Sequence, residues 1–397
     1  LGQNRLDLLR HAHQVVPFVS LTKLKVFARV VPKSVKKRAI MGEYSTSRLD
    51  SVFVVHRHSL RAPVYYPPSH PELSASFYPR GKGYLSRNGI NACFQVAKIW
   101  SSWYPNHING KYISTVFVRS SESPRCHETA QALLAALFTT SDEGFSPVPV
   151  YGPPPGYDKY VSLEGYKNDV NAEMRKHYQD PVEHHDALEG RTFGELLEYS
   201  KLAFGHPEAG EYDAFTYLDG VISNIYERLP IPKVWTENEF ALREVFYKCY
   251  QHVIEQYRPF FGGHLLQGMA RRMKQVFNDE LRTGGRWCDY SFHDFNVSAV
   301  LHALEGEVTQ PKPDFLGAIF FELRTSNDGN QFVDVYYSSG LKPDFTYSNL
   351  EPMRMRWNDG SHRVTFGKLY EKMFNNPYMA EVLKASPMRY IGDDAMV

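Results

Sequence analysis

The chain has 397 residues, of which 43% are hydrophobic, 22% charged and 14% aromatic. This composition supports a large core and excludes a chain that is disordered throughout. Lys and Arg total 45 against 44 Asp and Glu, a balance that argues against a general nucleic-acid binder, and no apolar run is long enough to predict a transmembrane helix.

A basic extension is predicted over residues 1–45. Residues 1–40 hold nine Lys or Arg and one acidic residue, which leaves 36 basic and 43 acidic residues for the remainder. Basic side chains interrupt every apolar run there, so the apolar core of a secretory signal is missing. The composition fits a mitochondrial presequence, a helix on a lipid surface or a solvated extension, and the localisation stays open.

The next segments predict alternating strands and helices. Residues 51–55 (VFVV after Ser51) and 113–118 (ISTVFV) are short β-branched runs typical of buried strands. Amphipathic or apolar helices are predicted over 86–104 and 128–138. Two such strand–helix units predict an α/β fold, with a mixed, mostly parallel central sheet flanked by helices.

A composition shift then indicates an insertion. A stretch rich in Pro and Gly (SPVPVYGPPPG) precedes a long helix-like, polar region, after which strand and helix signals return. Near the C-terminus, Asp328-Gly329 between two apolar runs predicts a hairpin. We therefore predict an α/β core over residues 46–150 and 266–397, split by a helical cap insertion over 151–265.

Two covalent modifications are considered from the sequence. The sequence has four cysteines, Cys93, Cys126, Cys249 and Cys288. They are too dispersed for a zinc cluster and too few for a disulfide scaffold, so both disulfides and free thiols stay open. Asn296-Val297-Ser298 matches the N-glycosylation sequon and lies at the start of a helix predicted to be buried. We therefore expect Asn296 to carry no glycan.

The loop after the first predicted strand concentrates cations and imidazoles. His56-Arg57-His58-Ser59-Leu60-Arg61 lies at the strand's carboxyl end, where open α/β sheets build ligand sites. Arg57 and Arg61 could clamp a dianion, and a neutral His58 could attack its phosphorus. An exposed basic loop and a pair of core histidines are the structural alternatives. Metal binding by His56 and His58 is disfavoured because no carboxylate or thiol nearby completes a ligand set.

A second candidate site is His293-Asp294, which also lies between a predicted strand and a helix. Protonated Asp294 could give its proton to a leaving oxygen and then, as a carboxylate, assist water. His293 could donate to a phosphate oxygen. The position of Asp294 equally suits a cap of the following helix, and the two roles are compatible.

The third candidate is Arg119, at the end of the strand ISTVFV. Arg125 follows one turn into the next segment. An arginine after a strand is more often a structural ion-pair partner than a ligand, so the residues alone favour the structural interpretation.

Taken together, these segments resemble the histidine acid phosphatase family, branch 2 of the histidine phosphatase superfamily, and lean toward its prostatic and lysosomal type. The family signature R-H-G-x-R-x-P corresponds to Arg57-His58-Ser59-Leu60-Arg61-Ala62-Pro63, and its late H-D corresponds to His293-Asp294. VRSSESPRCHETAQALLAALF is similar to the family's arginine segment, and PFFGGHLLQGMARRM and NIYERLPIPKVWT are similar to pieces of its insertion. The likeness covers roughly residues 50–345.

The resemblance implies an enzyme that hydrolyses phosphate monoesters through a covalent phosphohistidine. It implies that His58 is the nucleophile and Asp294 the proton donor, and that the phosphoryl oxygens are held by Arg57, Arg61, Arg119 and His293. It also implies that no metal or organic cofactor is needed. The substrate would be a small phosphate monoester or a phosphorylated lipid or protein, a homodimer stays open, and family members are commonly secreted or lysosomal.

One departure from the family signature gives an alternative function. Ser59 stands where the family has Gly, and a positive φ at that position would strain a residue with a Cβ. The alternative is therefore a weakened or inactive relative that binds phosphorylated ligands. A third hypothesis, phosphoryl transfer between two substrates, would use the same nucleophile.

Overall fold

The computed structural model describes residues 47–67, 69–105, 107–108, 114–139, 147–154, 158, 167–182, 190–281 and 284–378. The predicted basic extension lies outside these ranges. Among the described residues, no helix has the length and apolar character needed to cross a membrane.

A mixed seven-stranded sheet forms the centre of the described fold, in the order β2-β3-β1-β5-β6-β7, with β9 also paired to β6. Strands β2, β3 and β1 are parallel, whereas β5, β6, β7 and β9 pair antiparallel. The strands are β1 (Ser47–Arg57), β2 (Val116–Ser120), β3 (Trp287–Phe292), β4 (Gly306–Glu307), β5 (Ala318–Ser326), β6 (Gln331–Ser338), β7 (Glu351–Pro352), β8 (Arg354–Met355) and β9 (Arg363–Thr365). The separate pair β4–β8 is antiparallel.

Helices flank this sheet and fill the region between β2 and β3. They are α1 (Arg87–Trp103), α2 (Pro124–Phe138), α3 (Lys167–Lys176), α4 (Phe193–Ala203), α5 (Glu211–Glu227), α6 (Lys233–Glu237), α7 (Glu239–Phe277), α8 (Asp294–Ala303) and α9 (Phe366–Phe374). The predicted α/β class, with a mixed sheet flanked by helices, is confirmed.

Local sequence accounts for several of these boundaries. The last seven residues of β1 are buried, as expected for a β-branched strand covered on both faces. Ser86 caps α1, because its hydroxyl accepts the N–H of Gly89 at 2.8 Å. The predicted hairpin is formed by β5 and β6, and Gly329 at its tip has φ +85°, a value that favours glycine.

Helices α3–α7, here named the cap helices, share a hydrophobic cluster of their own. Trp235, Phe193 and Phe204 lie within it, fully buried. Many aromatic side chains of the cap helices therefore pack in a buried core. The boundary predicted at residue 265 falls inside α7, a single 39-residue helix. The division of the chain into core and cap stays a prediction.

Both modification sites are buried. The four cysteines are free thiols. The Asn296 side chain is fully buried and donates to the carbonyl of Phe261 at 2.9 Å. A glycan could not be attached there without opening the helix α7–α8 contact.

Candidate active site

The carboxyl ends of the three parallel strands bring the predicted site together. The N–H of His58, just after β1, donates to the Phe292 carbonyl at the end of β3 (2.9 Å). The N–H of Ser121, just after β2, donates to the Ser291 carbonyl (3.1 Å). His293 follows β3 directly. Parallel strands thus place His58, Ser121 and His293 side by side, although the chain separates them widely.

The His58 ring is buried and has a defined tautomer. It is 2% exposed, and its Nδ1 lies 2.8 Å from the Ser59 carbonyl oxygen. Because a carbonyl oxygen only accepts, Nδ1 carries the proton and the Nε2 lone pair is left for chemistry. Burial, and then the positive charges of Arg125 and Arg57, hold the pKa of His58 well below its usual value. The ring therefore stays neutral to a lower pH than an ordinary histidine does.

Arg57 lies between the proposed nucleophile and the proposed acid. Its Nη2 is 3.1 Å from Asp294 Oδ2, and its Nη1 donates to the Pro313 carbonyl at 3.1 Å. Its guanidinium lies 4.2 Å from the centre of the Phe315 ring, which also contacts the His58 ring at a centroid distance of 5.9 Å. These contacts fix the plane of the guanidinium.

Asp294 is the first residue of α8, and His293 holds the N-cap position before it. Asp294 Oδ1 accepts the N–H of Phe295 at 3.0 Å, and Oδ2 faces Arg57. The capping interpretation is therefore correct only in part, because Asp294 belongs to the first turn rather than the cap. One carboxylate oxygen is held by the helix while the other faces the site.

Arg125 and Ser121 fix the tautomer of His293. Arg125 Nη2 lies 3.2 Å from His293 Nδ1, and Ser121 Oγ lies 3.2 Å from Nε2. A guanidinium can only donate, so Nδ1 accepts and Nε2–H donates to the hydroxyl. Burial and the charges of Arg125 and Arg61 hold the pKa of His293 well below its usual range. The His58 and His293 rings meet edge to face, 5.4 Å apart.

The structure favours Arg125 over Arg119 as the third arginine of the site. Arg119 donates to the carbonyl of Ser120, lies 3.8 Å from Asp158 and faces the Phe292 ring at 5.6 Å. These are the contacts of a structural ion pair, as expected for an arginine at the end of a strand. Arg125, by contrast, contacts His293 and is the charge that most affects His58.

Three arginines around His58 keep buried donors without an acceptor. Among the described residues, the Nε atoms of Arg57, Arg61 and Arg125 are buried and have no hydrogen-bond partner. A buried N–H without a partner costs about 1–3 kcal/mol. Such donors, clustered beside a neutral imidazole, suit a tetrahedral anion that supplies several acceptor oxygens.

The cap helices contribute a carboxylate that sequence reasoning missed. Arg61 Nη2 donates to Oδ2 of Asp219, on α5, at 2.8 Å. Burial opposes ionisation of Asp219, but Arg61, Arg57 and Lys312 outweigh it and lower the pKa of this carboxyl. Lys312 Nζ lies 3.9 Å from Asp294 Oδ2. Burial, and then the charge of Arg57, lower the pKa of Lys312. Nothing in the local sequence around Asp219 or Lys312 marks either residue as a site residue.

Ser59 is not in the strained conformation considered from the sequence. It is absent from the described non-glycine residues with positive φ. Its N–H donates to Thr129 Oγ1 at 2.9 Å, and its hydroxyl donates to the Gly89 carbonyl at 2.8 Å. The hydroxyl is therefore bound to α1, and backbone strain gives no argument for lost activity.

His56 has a structural environment. Its Nε2 lies 2.9 Å from Asp289 Oδ1, and its Nδ1 lies 3.1 Å from the Arg57 carbonyl. Both ring nitrogens therefore face an oxygen of the protein, and neither is left for the metal ligation considered with His58. The sequence holds a second His-x-His pair, His11 and His13, for which metal binding is disfavoured by the same lack of nearby ligands; it lies outside the described residues.

Comparison with known proteins identifies what the chain is similar to. The family model of the histidine phosphatase superfamily (branch 2) matches residues 36–338. Testicular acid phosphatase of Homo sapiens is 26% identical over 311 residues, covering 72% of this chain and 71% of that protein. Prostatic acid phosphatase of Bos taurus is 26% identical over 321 residues, covering 75% and 79%.

Solved structures show the same fold. The phytase of Hafnia alvei in complex with myo-inositol hexakis sulphate has a TM-score of 0.59 at 15% identity, covering 84% of this chain and 98% of that one. The phytase of Klebsiella sp. ASR1 has a TM-score of 0.59 at 15% identity, covering 83% and 94%. At this identity the likeness concerns the fold alone.

Proposed function

The chain belongs to the histidine phosphatase superfamily (branch 2) and is a phosphoric monoester hydrolase, and we propose that it works through a phosphohistidine on His58. The observation that carries this proposal is the buried, neutral His58 ring, with its proton on Nδ1 and three arginines around it. Imidazole in this form is a competent nucleophile. The names of the relatives further support hydrolysis of phosphate monoesters at acid pH.

In the first step, Nε2 of His58 attacks the phosphorus of the ester. The bond between phosphorus and the ester oxygen breaks, and the leaving oxygen takes a proton from Asp294. Arg57, Arg61 and Arg125 would hold the phosphoryl oxygens and stabilise their charge. His293 would join them by redirecting its Nε2–H from Ser121 to a phosphoryl oxygen. Arg125 here takes the place that the sequence analysis gave to Arg119.

In the second step, water hydrolyses the phosphohistidine. Asp294, now a carboxylate, takes a proton from the water, whose oxygen bonds to phosphorus. The phosphorus–nitrogen bond breaks, its electron pair returns to Nε2, and phosphate leaves. Asp294 ends the cycle protonated, and no oxidant or metal enters the balance.

Acid operation follows from the two environments. Asp294 must carry a proton to help the leaving group, whereas His58 must be neutral to attack. Burial and the neighbouring arginines hold the pKa of His58 well below its usual value, so the nucleophile stays neutral further into the acid range than an ordinary histidine. A dianionic substrate would also draw Arg57 away from Asp294, because both anions compete for the same guanidinium.

The experiment is to trap the intermediate. The protein is mixed with ³²P-labelled p-nitrophenyl phosphate, quenched in base after milliseconds and mapped by peptide mass spectrometry. We expect label on His58 and none in His58→Asn. Turnover without label on His58, or label on another residue of the wild-type chain, would contradict the proposal.

Asp294→Asn tests the role of the acid separately. An aryl leaving group needs little protonation, so this variant should still become labelled with p-nitrophenyl phosphate and should then accumulate label because water lacks its base. With an alkyl phosphate, kcat should fall by about 10²–10⁴-fold. Equal losses for aryl and alkyl substrates would remove Asp294 from the acid role.

Ser59→Gly decides between this function and the inactive relative. Since Ser59 is unstrained and hydrogen-bonded, we expect the substitution to change kcat less than about tenfold. A large gain from a nearly silent parent would instead support a ligand-binding relative in which Ser59 impairs catalysis.

A further inference from the structure

A second cluster of chemically versatile side chains lies on the cap helices. His177 follows the last residue of α3, Asp180 lies in the turn after it, and His252 projects from α7. One nitrogen or carboxylate oxygen from each lies within 4.8 Å of the other two. The phosphatase mechanism uses none of these residues.

His252 is buried without a hydrogen-bond partner. It is 8% exposed, and both its ring nitrogens are buried and unpaired among the described residues. One side of the ring stacks on His177, with centroids 3.7 Å apart, and Phe193 meets it edge-on at 5.2 Å. Buried polar atoms in native proteins almost always have a partner, so two unpaired nitrogens on one ring point to a missing ligand.

The surroundings of His177 suit a metal ligand whose second ring nitrogen faces a carboxylate. Its Nδ1 lies 3.0 Å from Asp180 Oδ2, and its Nε2 lies 3.6 Å from Glu173 Oε1. A metal ion shared with Asp180 would use Nδ1 and leave Nε2–H toward the Glu173 carboxylate. Metal-bound histidines commonly donate their other N–H to a carboxylate in this way.

We propose that His177, Asp180 and His252 bind Zn²⁺, with Glu173 orienting His177. Two imidazoles and one carboxylate suit zinc, which takes nitrogen ligands at about 2.0–2.1 Å and fills its fourth position with water or another carboxylate. The same donor set disfavours Mg²⁺ and Ca²⁺, which prefer oxygen ligands. Zinc would tie the end of α3 to the middle of α7.

Binding requires a modest rearrangement. Two stacked rings cannot both direct an in-plane lone pair at one ion, so one ring has to turn. His177 is the ring able to turn, because its side chain is 29% exposed and that of Asp180 42% exposed. The nearby cations are Lys248 and Lys176, and Lys176 pairs with Glu173 at 2.6 Å.

The test is zinc binding by the full chain after treatment with a chelator. Equilibrium dialysis against ZnCl₂ in chloride buffer, followed by mass-spectrometric metal analysis, should give one tightly bound Zn²⁺ per chain and no bound Mg²⁺. Asp180→Asn and His252→Gln should each weaken this binding by tenfold or more. His302→Gln, at an exposed histidine on α8, should bind as the wild type does.

A thermal shift provides the second readout. Zn²⁺ should raise the Tm of the wild type and of His302→Gln but not that of Asp180→Asn, whose exposed side chain can change without disturbing the core. Zinc binding that is lost in His58→Asn rather than in Asp180→Asn would place the ion in the active site and overturn the proposal. So would binding that is equal in all variants, or absent at 100-fold excess of zinc over chain.

Discussion

Arg125 and Arg119 lie six residues apart, and their contacts predict losses of activity that differ in size on substitution. Arg125 donates to His293 and keeps a buried Nε–H without a partner, so Arg125→Gln should lower kcat/KM by about 10²–10³-fold, the usual effect of removing one transition-state donor. Arg119→Gln should lower it by less than tenfold. Steady-state kinetics with p-nitrophenyl phosphate measures both values.

Thermal unfolding of the same two variants separates catalysis from stability. Arg119 lies near the buried carboxylate of Asp158. Arg119→Gln should therefore lower Tm, while the activity of the folded fraction should change little. A larger catalytic loss for Arg119→Gln than for Arg125→Gln would restore Arg119 to the anion site.

Asp219 opposes anion binding by partly neutralising Arg61. Asp219→Asn keeps the shape and an accepting oxygen but removes the negative charge next to that guanidinium. Inhibition by inorganic phosphate should therefore become about tenfold tighter, which corresponds to about 1.4 kcal/mol. Asp213→Asn, on the first turn of the same helix, is the control. Unchanged or weaker inhibition in Asp219→Asn would contradict this role.

Residues at the site differ in how far sequence can predict them. That His58 and Asp294 lie near each other could be predicted, because each follows a recognisable buried strand and belongs to a short motif; their roles stay a proposal. The family resemblance assigned Arg119 to the anion, and only the contact between Arg125 and His293 in the fold distinguishes the two arginines. Asp219 is 158 positions from Arg61, and only the packing of α5 against the loop after β1 brings the two together.

At the scale of elements, α1 supports the loop after β1 that holds His58, because Gly89 of α1 lies very close to the Leu60 backbone. A Cβ on Gly89 would lie 2.0 Å from the Leu60 carbonyl oxygen, so Gly89→Ala must push the helix away from the loop. Forced overpacking of this kind costs about 1–3 kcal/mol. The shift would also break the Ser59–Gly89 hydrogen bond and displace His58, so both stability and kcat should fall.

Gly367→Ala is the matched control for this substitution. Gly367 lies on α9, and a Cβ there has no atom within 4 Å, so alanine should leave activity unchanged and slightly raise the free energy of unfolding. Denaturant titration and kinetics of both variants test the contrast. A Gly89→Ala protein as stable and active as the wild type would show that α1 does not hold the loop.

The elements themselves were predictable to different degrees. Strands β1 and β2 contain buried β-branched runs, and β3 is a buried segment rich in aromatic residues. The hairpin β5–β6 has an Asp-Gly turn, so local chemistry favours all of these elements. Helices α3–α7 carry mixed polar and aromatic sequences, in which the pattern does not say which aromatic side chains meet. Trp235 and Phe193 became core residues through tertiary contacts alone, which no local pattern encodes.

At the scale of the whole molecule, the buried neutral histidines should make the protein less stable in acid. The pKa values of His58 and His293 are lowered in the fold, whereas in the unfolded chain both rings take up a proton near pH 6.5. Stability from these rings is therefore full above about pH 7 and is lost as the pH falls from 6.5 toward the folded pKa values, by up to about 2 kcal/mol for each ring at pH 5.

Sulfate, which stays a dianion across this range, would offset part of that loss by neutralising the arginines that oppose protonation of His58 and His293. Tm measured at pH 7.5 and pH 5 should thus fall with acid, and 10 mM sulfate should recover more Tm at pH 5 than at pH 7.5, at matched ionic strength. His58→Asn removes one titrating ring, so its Tm should fall less between the two pH values. If the Tm of His58→Asn fell as much as that of the wild type between pH 7.5 and pH 5, the lowered pKa of His58 would not contribute to the loss of stability in acid.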